Sequence, residues 1–306
     1  MDVLMVGSIA YDSVTSPAGQ VEEALGGSAV YAGIASRFHA NYLGLDKIGL
    51  VGVVGTDFKQ TDIELLEEQG LDLTGIEIAE GNTFRWEGSY HGDMGVAETH
   101  DTQLNVFGDF NPKVPVESRN PKVLFCANLV PSLQSKVLSQ AIASRLSMLD
   151  SMNLWINIAR DELISVMGKV DLIIINDGEV KMLANDDNLV RASRKLIDMV
   201  SCTTLVVKKG ENGVIAFHEG EIISLPAFPT DVVVDPTGCG DSFAGTIAAH
   251  LSSADGKLSR DELREALVRA TVTASFTLES FGTSGLLELT DELFEERLEL
   301  FRTILR

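Results

Sequence analysis

Short aliphatic runs alternate with longer amphipathic stretches along almost the whole chain, and this alternation constrains the fold more than any other feature. Buried parallel strands read as continuous apolar runs, whereas apolar residues that recur every three or four positions indicate helices. The predicted strands are Val3–Ser8, Ile48–Val54, Val123–Ala127, Leu154–Ile158, Asp171–Ile175 and Leu205–Val207, with a hairpin from Gly213 to Leu225. The predicted helices are Ser28–Phe38, Lys59–Gln69, Leu133–Leu146, Asn188–Met199, Asp241–Leu251, Asp261–Glu279 and Asp291–Thr303. This order predicts an α/β fold, with a mostly parallel sheet flanked by helices on both faces and ligands at the carboxyl ends of the strands.

The size and charge of the chain narrow its class. It has 306 residues, 45% of them hydrophobic, which suits a single α/β domain over residues 1–306. Its net charge of −21 disfavours nucleic acid and anionic membranes as partners. No apolar run reaches the ~18 residues of a membrane span, and the N-terminus does not read as a signal peptide, so we expect a cytoplasmic protein. The cysteines, Cys126, Cys202 and Cys239, are too scattered for a disulfide framework or a zinc site.

Two polar stretches interrupt the alternation, at about residues 11–24 and 81–107. In the second, Phe84, Trp86 and Tyr90 lie among polar residues in a pattern that is typical of an exposed strand. Both stretches predict short strands of a second, small sheet. A surface hairpin without a function is the alternative for the second stretch.

A glycine-rich run, DPTGCGDSF, extends from Asp235 to Phe243. It follows valines 232–234, which read as the end of a strand, and leads into the helix predicted from Asp241. Gly238 and Gly240 free the backbone to turn, so the N–H groups of residues 238–241 would point out of the positive end of that helix. Such a loop suits a phosphate or a phosphoryl group in transit.

Asp241 is harder to explain as scaffold, because a carboxylate beside an anion site repels the ligand. It can accept the proton of an attacking alcohol, and the alternative is that it caps the helix. Cys239, inside the loop, is better explained as a small residue that fits a tight turn than as a nucleophile.

Four motifs now support a family resemblance. DPTGCGDSF resembles the C-terminal signature of the ribokinase-like, or PfkB, carbohydrate kinases, and three further matches follow the order of that family: VGSIAYDSV (Val6–Val14) with LGGSAVYAGIA (Leu25–Ala35), INDGE (Ile175–Glu179) and VVKKGENG (Val206–Gly213). The resemblance implies ATP and Mg²⁺ as cofactors, Asp241 as general base, and a small β-sheet lid, built from the two polar stretches, that closes over the acceptor. A homodimer formed through the lid is compatible with it.

On the acceptor side the resemblance predicts a binding site made of Asp12, Gly26, Gly27, Tyr31 and Asn153. Asp12 would bind acceptor hydroxyls and the glycine pair would let the ligand approach the backbone; the alternative for Asp12 is an ordinary turn residue. Two departures stand out. Tyr31 occupies a position where the family commonly has Asn, and the element from Asp150 to Trp155 lacks the family's basic residue, which disfavours a phosphorylated acceptor.

Asn176 and Glu179 end an aliphatic strand and begin a helix, three residues apart. An amide and a carboxylate there can order the water shell of Mg²⁺, but the same pair is a known helix-capping pattern. The predicted nucleotide-binding residues are Asn176, Lys208, Gly210, Gly213 and Thr237. Lys208 and Lys209 either reach phosphates or solvate a strand end, and the resemblance allows a monovalent cation, K⁺, near Asp235.

The predicted function is an ATP-dependent kinase that phosphorylates a hydroxyl of a small neutral sugar or polyol. A nucleoside kinase is the alternative within catalysis, because the aromatic residues of the lid could stack on a base. A non-catalytic sugar or nucleotide sensor is the alternative from another class, although a sensor has no need of Asp241. A dinucleotide-binding oxidoreductase is disfavoured, because no Gly-x-Gly-x-x-Gly turn follows the first strand.

Overall fold

A central nine-stranded sheet and a separate four-stranded sheet organise the protein in a computed structural model, which describes residues 1–92 and 94–306. The strands are β1 (Val3–Val6), β2 (Ala10–Ser16), β3 (Gly19–Gly26), β4 (Ile48–Gly55), β5 (Leu71–Ala79), β6 (Phe84–Tyr90), β7 (Ala97–Gln103), β8 (Val123–Cys126), β9 (Leu146–Asp150), β10 (Leu172–Asn176), β11 (Thr204–Lys208), β12 (Val214–His218) and β13 (Glu221–Leu225). The helices are α1 (Ser28–Leu43), α2 (Gln60–Glu68), α3 (Pro131–Gln140), α4 (Asn153–Ile158), α5 (Arg160–Met167), α6 (Asp177–Ala184), α7 (Leu189–Val200), α8 (Cys239–Ser252), α9 (Arg260–Leu278), α10 (Ser284–Leu287) and α11 (Asp291–Ile304).

The large sheet has the order β13-β12-β11-β10-β9-β8-β1-β4-β5. Neighbours from β11 to β5 pair in parallel, and β12 and β13 are added antiparallel at one edge. The inner strands are aliphatic and buried on both faces, as a parallel sheet between helices requires. The predicted mostly parallel α/β sheet is confirmed.

The small sheet has the order β3-β2-β6-β7 and comes from the two polar stretches. Its central strands β2 and β6 pair in parallel, with Asp12 opposite Trp86, and β3 and β7 pair antiparallel outside them. The predicted second sheet is therefore confirmed, and we call it the lid sheet. Asp93, within the predicted stretch 81–107, lies outside the described residues.

Helices α1 and α8 run side by side in the same direction. Tyr31, in the first turn of α1, contacts Gly238 at the start of α8, and His39 near the end of α1 contacts His250 near the end of α8. A Cβ at Gly245 would lie 2.1 Å from the Ala32 carbonyl oxygen, so the missing side chain lets the two backbones touch. This packing places the N-terminus of α1 beside the N-terminus of α8.

Three predicted elements are wrong. The predicted strand Leu154–Ile158 belongs to α4, and an apolar run this short cannot be assigned by periodicity alone. The helix predicted to reach Leu146 ends at Gln140, because from Ile142 onward backbone N–H groups bond to carbonyl groups of residues 119–122, and Leu146 opens β9. Valines 232–234 form no strand, and Val232 and Val233 are exposed. No helix in the described part of the chain combines the length and the apolar character that crossing a membrane would need.

Candidate active site

The glycine-rich run builds the N-terminal end of α8. Gly238 is the N-cap and has a left-handed φ of 77°, and a Cβ there would lie 2.3 Å from the ring of Tyr31. Both the backbone conformation and the lack of space therefore require glycine at this position. The Cys239 N–H donates to the Pro236 carbonyl oxygen at 3.2 Å, so the amides available to a ligand are fewer than the four predicted for residues 238–241.

The side chain of Cys239 faces the protein interior. Its Sγ donates to the Ala274 carbonyl oxygen at 3.6 Å, and burial raises the pKa of its thiol. The thiol therefore stays protonated, which agrees with the role of a small residue in a tight turn.

Asp235 fixes the loop that precedes α8. It is fully buried, its Oδ1 accepts from the Thr237 N–H at 2.9 Å, and its Oδ2 accepts from the Gly282 N–H at 3.3 Å. Burial raises the pKa of Asp235, and these two donors oppose the rise. Thr237 in turn meets the lid sheet, because its Oγ1 lies 3.2 Å from the hydroxyl of Tyr90. The lid and the loop are thus joined through Thr237.

Asp241 lies in the first turn of α8 and is partly buried. Burial raises the pKa of its carboxyl group to about 7, the charge of Asp150 adds to the rise, and Lys208 opposes it. A carboxyl group with a pKa close to the working pH is well suited to accept a proton. The helix dipole alone would instead lower the pKa, so capping does not account for this environment.

Asp12 lies close to the same loop. It is buried in β2, and a Cβ at Gly26 would lie 2.0 Å from its Oδ2, so this carboxylate fills the space in front of Gly26. Burial raises the pKa of Asp12 to about 7, the backbone N–H of Gly27 opposes the rise, and Asp235 and Asp241 add to it. Gly27 has a φ of 93°, and a Cβ there would lie 2.5 Å from the Ser8 carbonyl oxygen. The glycine pair thus allows a tight turn around Asp12.

Tyr31 lies between Asp12 and the loop before α8. Its side chain is fully buried, and its hydroxyl has no hydrogen-bond partner in the described residues. Burial raises the pKa of this hydroxyl, and the charges of Asp12, Asp235 and Asp241 raise it further. A buried hydroxyl without a partner is costly, so Tyr31 offers an unused polar atom between Asp12 and the loop before α8.

Lys208 ends β11 beside the same loop. Its Nζ forms an ion pair with Asp150 Oδ2 at 2.7 Å, and it lies 3.0 Å from the position that a Cβ of Gly240 would occupy. Asn153, which the sequence predicted beside the acceptor, is exposed at the start of α4. No contact described for Asn153 connects it to the other predicted site residues.

Asn176 and Glu179 form a reciprocal capping box at the start of α6. Asn176 Oδ1 accepts from the Glu179 N–H at 2.8 Å, and Glu179 Oε2 accepts from the Asn176 N–H at 2.8 Å. Glu179 is nevertheless buried, and burial, reinforced by the charge of Asp150, raises its pKa to about 7. The capping alternative is therefore observed, and the metal role remains a prediction.

The glycine turn after β11 has a structural explanation. Gly210 has a φ of 53°, Gly213 has a φ of 80°, and a Cβ at Gly213 would lie 2.2 Å from the Leu225 carbonyl oxygen. These glycines let β11 turn into the hairpin of β12 and β13. Nucleotide binding by Gly210 and Gly213 stays a prediction.

Sequence reasoning names Asp150, in the element Asp150–Trp155, and Tyr90, in the aromatic strand, but it misses the contacts that these two residues make in the site. Asp150 follows the run Leu-Ser-Met-Leu, whose first residue was assigned to a helix, so its place at the carboxyl end of a strand was hidden. Tyr90 was recognised as part of an aromatic strand, but its bond to Thr237 spans 147 residues, and no local pattern reports that.

Comparison with known proteins connects this geometry to a family. The family model described as pfkB family carbohydrate kinase matches residues 2–289. A cytidine kinase of Thermococcus kodakarensis is 28% identical over 265 residues, which are 82% of this chain and 89% of that protein. A fructokinase-2 of Zea mays is 32% identical, but over only 110 residues, 36% of this chain and 32% of that protein. Among solved structures, the nucleoside kinase of Burkholderia thailandensis in complex with inosine covers 98% of each chain with a TM-score of 0.77 and 19% identity, which shows a common fold.

Proposed function

The chain belongs to the pfkB family of carbohydrate kinases and is a phosphotransferase, and we propose that it transfers the γ-phosphoryl group of ATP to a hydroxyl of a neutral sugar-containing acceptor. One observation carries this proposal. Asp241, whose pKa is raised to about 7, lies at the N-terminus of α8 beside glycine-freed amides, and its charge is coupled to that of Asp12. The residues proposed as proton acceptor, as anion site and as ligand of the acceptor hydroxyls thus lie close together.

In the proposed reaction the acceptor hydroxyl forms a bond to the γ-phosphorus, and the bond between this phosphorus and the bridging oxygen of ADP breaks. Asp241 accepts the hydroxyl proton. The amides of Gly238, Gly240 and Asp241 stabilise the charge on the transferring group, whereas the Cys239 N–H is occupied by Pro236. Asp12 and Tyr31 bind the acceptor.

The nucleotide is proposed to lie along Asn176, Lys208, Gly210, Gly213 and Thr237. Bound magnesium would supply positive charge to the phosphates. The described residues contain no group of three or more His, Cys, Asp and Glu side chains that could hold a metal directly. Glu179 fits a contact through water, because capping occupies its Oε2 and no hydrogen bond engages its Oε1 in the described structure. A K⁺ ion near Asp235 remains part of the proposal.

The acceptor proposed first is a nucleoside, with a neutral sugar or polyol as the second candidate. In the lid sheet Trp86 stands opposite Asp12 on paired strands, so both side chains project from the same face of that sheet, and Trp86 Nε1 donates to Thr99 Oγ1 at 3.2 Å. A nucleoside offers hydroxyls to Asp12 and a flat base that can stack on an indole ring. The extensive match to a cytidine kinase supports this order, since the fructokinase match covers a much smaller part of the chain.

The test is an ADP-release screen with Mg·ATP over cytidine, inosine, other nucleosides, fructose, ribose and simple polyols. We expect turnover with at least one nucleoside, and we expect Asp241→Asn to lower it by at least about 10²-fold. Turnover with fructose or ribose alone would select the second candidate. Binding of a nucleoside or sugar without ADP release in the wild-type protein would support a sensor and contradict the proposed function.

A further inference from the structure

A buried ion pair lies beneath the N-terminal end of α8, at the carboxyl ends of two strands of the large sheet. Lys208 at the end of β11 and Asp150 at the end of β9 meet at 2.7 Å, and their side chains are only 20% and 5% exposed. The intervening strand β10 ends at Asn176, which pairs in register with Lys208. Two buried charges are costly to desolvate, so a pair at this place calls for an explanation beyond surface solvation.

The ion pair is close to the general base. The Lys208 Nζ lies 3.0 Å from the position of a Cβ at Gly240, the residue directly before Asp241. The ammonium group therefore adjoins the backbone that carries the base. Its charge favours the ionised form of Asp241, and the carboxylate of Asp150 disfavours that form.

We infer that the Asp150–Lys208 ion pair is a positioning pair that sets the protonation state of Asp241, with Lys208 as counter-charge of the base and Asp150 as the anchor of the ammonium group. The inference rests on the proposed function, because it matters for turnover only if Asp241 accepts a proton. It also explains why Lys208 needs a buried carboxylate partner, which a lysine that only binds phosphate does not.

The other groups around Asp241 do not supply this positive charge. Asp12 from β2 and Tyr31 from α1 face the same region, and each is affected by the charge of Asp241. Cys239 on α8 is affected in the same way, and its thiol stays protonated. Glu179 from α6 interacts with Asp150 and Lys208 and adds further negative charge to the cluster. Among these groups in the described structure, Lys208 alone is a cation.

The test is a carboxyl titration of the ligand-free protein by NMR, with ¹³C-labelled aspartate and with the Asp241 signal assigned by its loss in Asp241→Asn. Lys208→Met should raise the titration midpoint of Asp241 by about one pH unit, because a nearby opposite charge is removed. Asp150→Asn should move the midpoint in the other direction, since its amide oxygen still accepts from Lys208 but no longer repels Asp241. Lys209→Met, the neighbouring lysine, is the matched control and should leave the midpoint in place.

The same shifts should appear in turnover. With saturating Mg·ATP, kcat/KM for cytidine is measured as a function of pH. The acidic limb of this pH profile should move to higher pH in Lys208→Met and to lower pH in Asp150→Asn. A higher KM for ATP in Lys208→Met with an unchanged limb and an unchanged titration midpoint would make Lys208 a phosphate ligand only, and would overturn the inference.

Folding and the proposed function are tested separately. Lys208→Met leaves the Asp150 carboxylate buried without its partner, and this single variant can fail to fold for that reason. In that case the double variant Lys208→Met/Asp150→Asn, which removes both charges, is measured instead. In the double variant the Asp241 midpoint should lie closer to the wild-type value than it does in Asp150→Asn, because the positive charge of Lys208 is lost as well. A midpoint equal to that of Asp150→Asn would overturn the inference. If the wild-type protein releases no ADP with any acceptor of the screen while the titration shifts are observed, the proposed function fails and the electrostatic coupling stands. Full turnover by Asp241→Asn would remove only the role of Asp241 as base.

Discussion

The two ends of the α1–α8 helix pair differ in the hydrogen bonding of their buried polar groups. At the N-terminal end Asp12 is buried and Asp241 is partly buried, both have pKa values raised to about 7, and the Tyr31 hydroxyl has no partner among the described residues. At the C-terminal end His39 and His250 are buried as well, but they form a hydrogen-bonded chain. The same pair of helices thus has an unpaired tyrosine hydroxyl and carboxyl groups with raised pKa values at one end, and two hydrogen-bonded histidines at the other.

The chain of hydrogen bonds at the C-terminal end has a fixed direction. Thr273 Oγ1 donates to the Arg269 carbonyl oxygen at 3.1 Å, so it accepts from His39 Nε2 at 2.8 Å. Burial, together with the nearby charge of Arg269, lowers the pKa of both His39 and His250 and so favours neutral rings. With His39 neutral, its Nδ1 accepts from His250 Nε2 at 3.1 Å.

The pH dependence of stability differs in sign between the two ends. A carboxyl group whose pKa is raised on folding contributes stability at low pH and loses it as pH rises towards the folded value of about 7. A histidine whose pKa is lowered on folding contributes stability above its unfolded value and loses it as pH falls towards the folded value. Lowering the pH thus increases the contribution of the active-site carboxyl groups to folding stability and decreases the contribution of the histidines.

The largest effect is expected from the base. Asp241→Asn should lower kcat by about 10²- to 10⁴-fold, because the acceptor hydroxyl loses its proton acceptor. At pH 8 the variant should unfold at the same temperature as the wild type or a higher one, since it lacks a charge that burial disfavours. Steady-state kinetics and thermal melts check both parts. Near-normal turnover would remove Asp241 from the mechanism, and a clear loss of stability would mean that it acts as a helix cap.

The histidine end should show the next largest effect. Burial lowers the pKa of His250 to about 3, so lowering the pH from 6.5 to 5 should cost the wild type about 2 kcal/mol at this site. Urea unfolding of the wild type and of His250→Gln at both pH values measures the difference, because glutamine cannot take up a proton. His91→Gln, at an exposed lid position, is the control and should keep the wild-type pH dependence. If the free energy of unfolding changes equally with pH in the wild type and in His250→Gln, His250 is not held neutral by the fold.

A smaller effect is expected at Tyr31, where function and stability should change in opposite directions. Tyr31→Phe should raise the KM for the acceptor about 3- to 10-fold, through loss of one hydrogen bond, and should stabilise the free protein by up to ~1 kcal/mol, because an unpaired buried hydroxyl disappears. Tyr11→Phe is the matched control, since the Tyr11 hydroxyl donates to Asp62 at 2.7 Å and accepts from the Lys59 N–H at 2.9 Å, and it should lose stability. Equal destabilisation of the two variants would show that the Tyr31 hydroxyl is paired within the protein.

The same comparison shows what the sequence can predict. Gly238 and Asp241 were assigned to the start of a helix because the turn, the helix and the carboxylate lie within a few adjacent residues. The contact between Asp150 and Lys208 joins positions 58 residues apart, and it depends on the order of strands in the sheet, which local patterns do not report.

The elements predicted wrongly have the same origin. Leu154 and Ile158 are exposed on α4 although they belong to an apolar run, because tertiary packing decides which side of a short segment is buried. Tyr31 could be placed on the first turn of α1 from its spacing, but its unpaired hydroxyl depends on what surrounds it in three dimensions. Local chemistry was predictable here, and the pairing of distant polar groups was not.

Glu179 resembles the groups at both ends of the helix pair, because its Oε2 is paired in the capping box and its carboxyl group is also buried, with a raised pKa, near the active site. Glu179→Gln keeps an oxygen that can accept from the Asn176 N–H, so the free energy of unfolding should change by less than ~1 kcal/mol. The variant loses the charge that would order the water around bound magnesium, so its activity should require a higher Mg²⁺ concentration. Titrations of activity with Mg²⁺, at fixed ATP, compare it with the wild type and with Asp177→Asn, a neighbour in the same first turn whose carboxylate pairs with Lys181 instead. An unchanged Mg²⁺ requirement in Glu179→Gln, with a clear loss of stability, would assign Glu179 to the capping box alone. Its role would then be structural, like that of the hydrogen-bonded histidines.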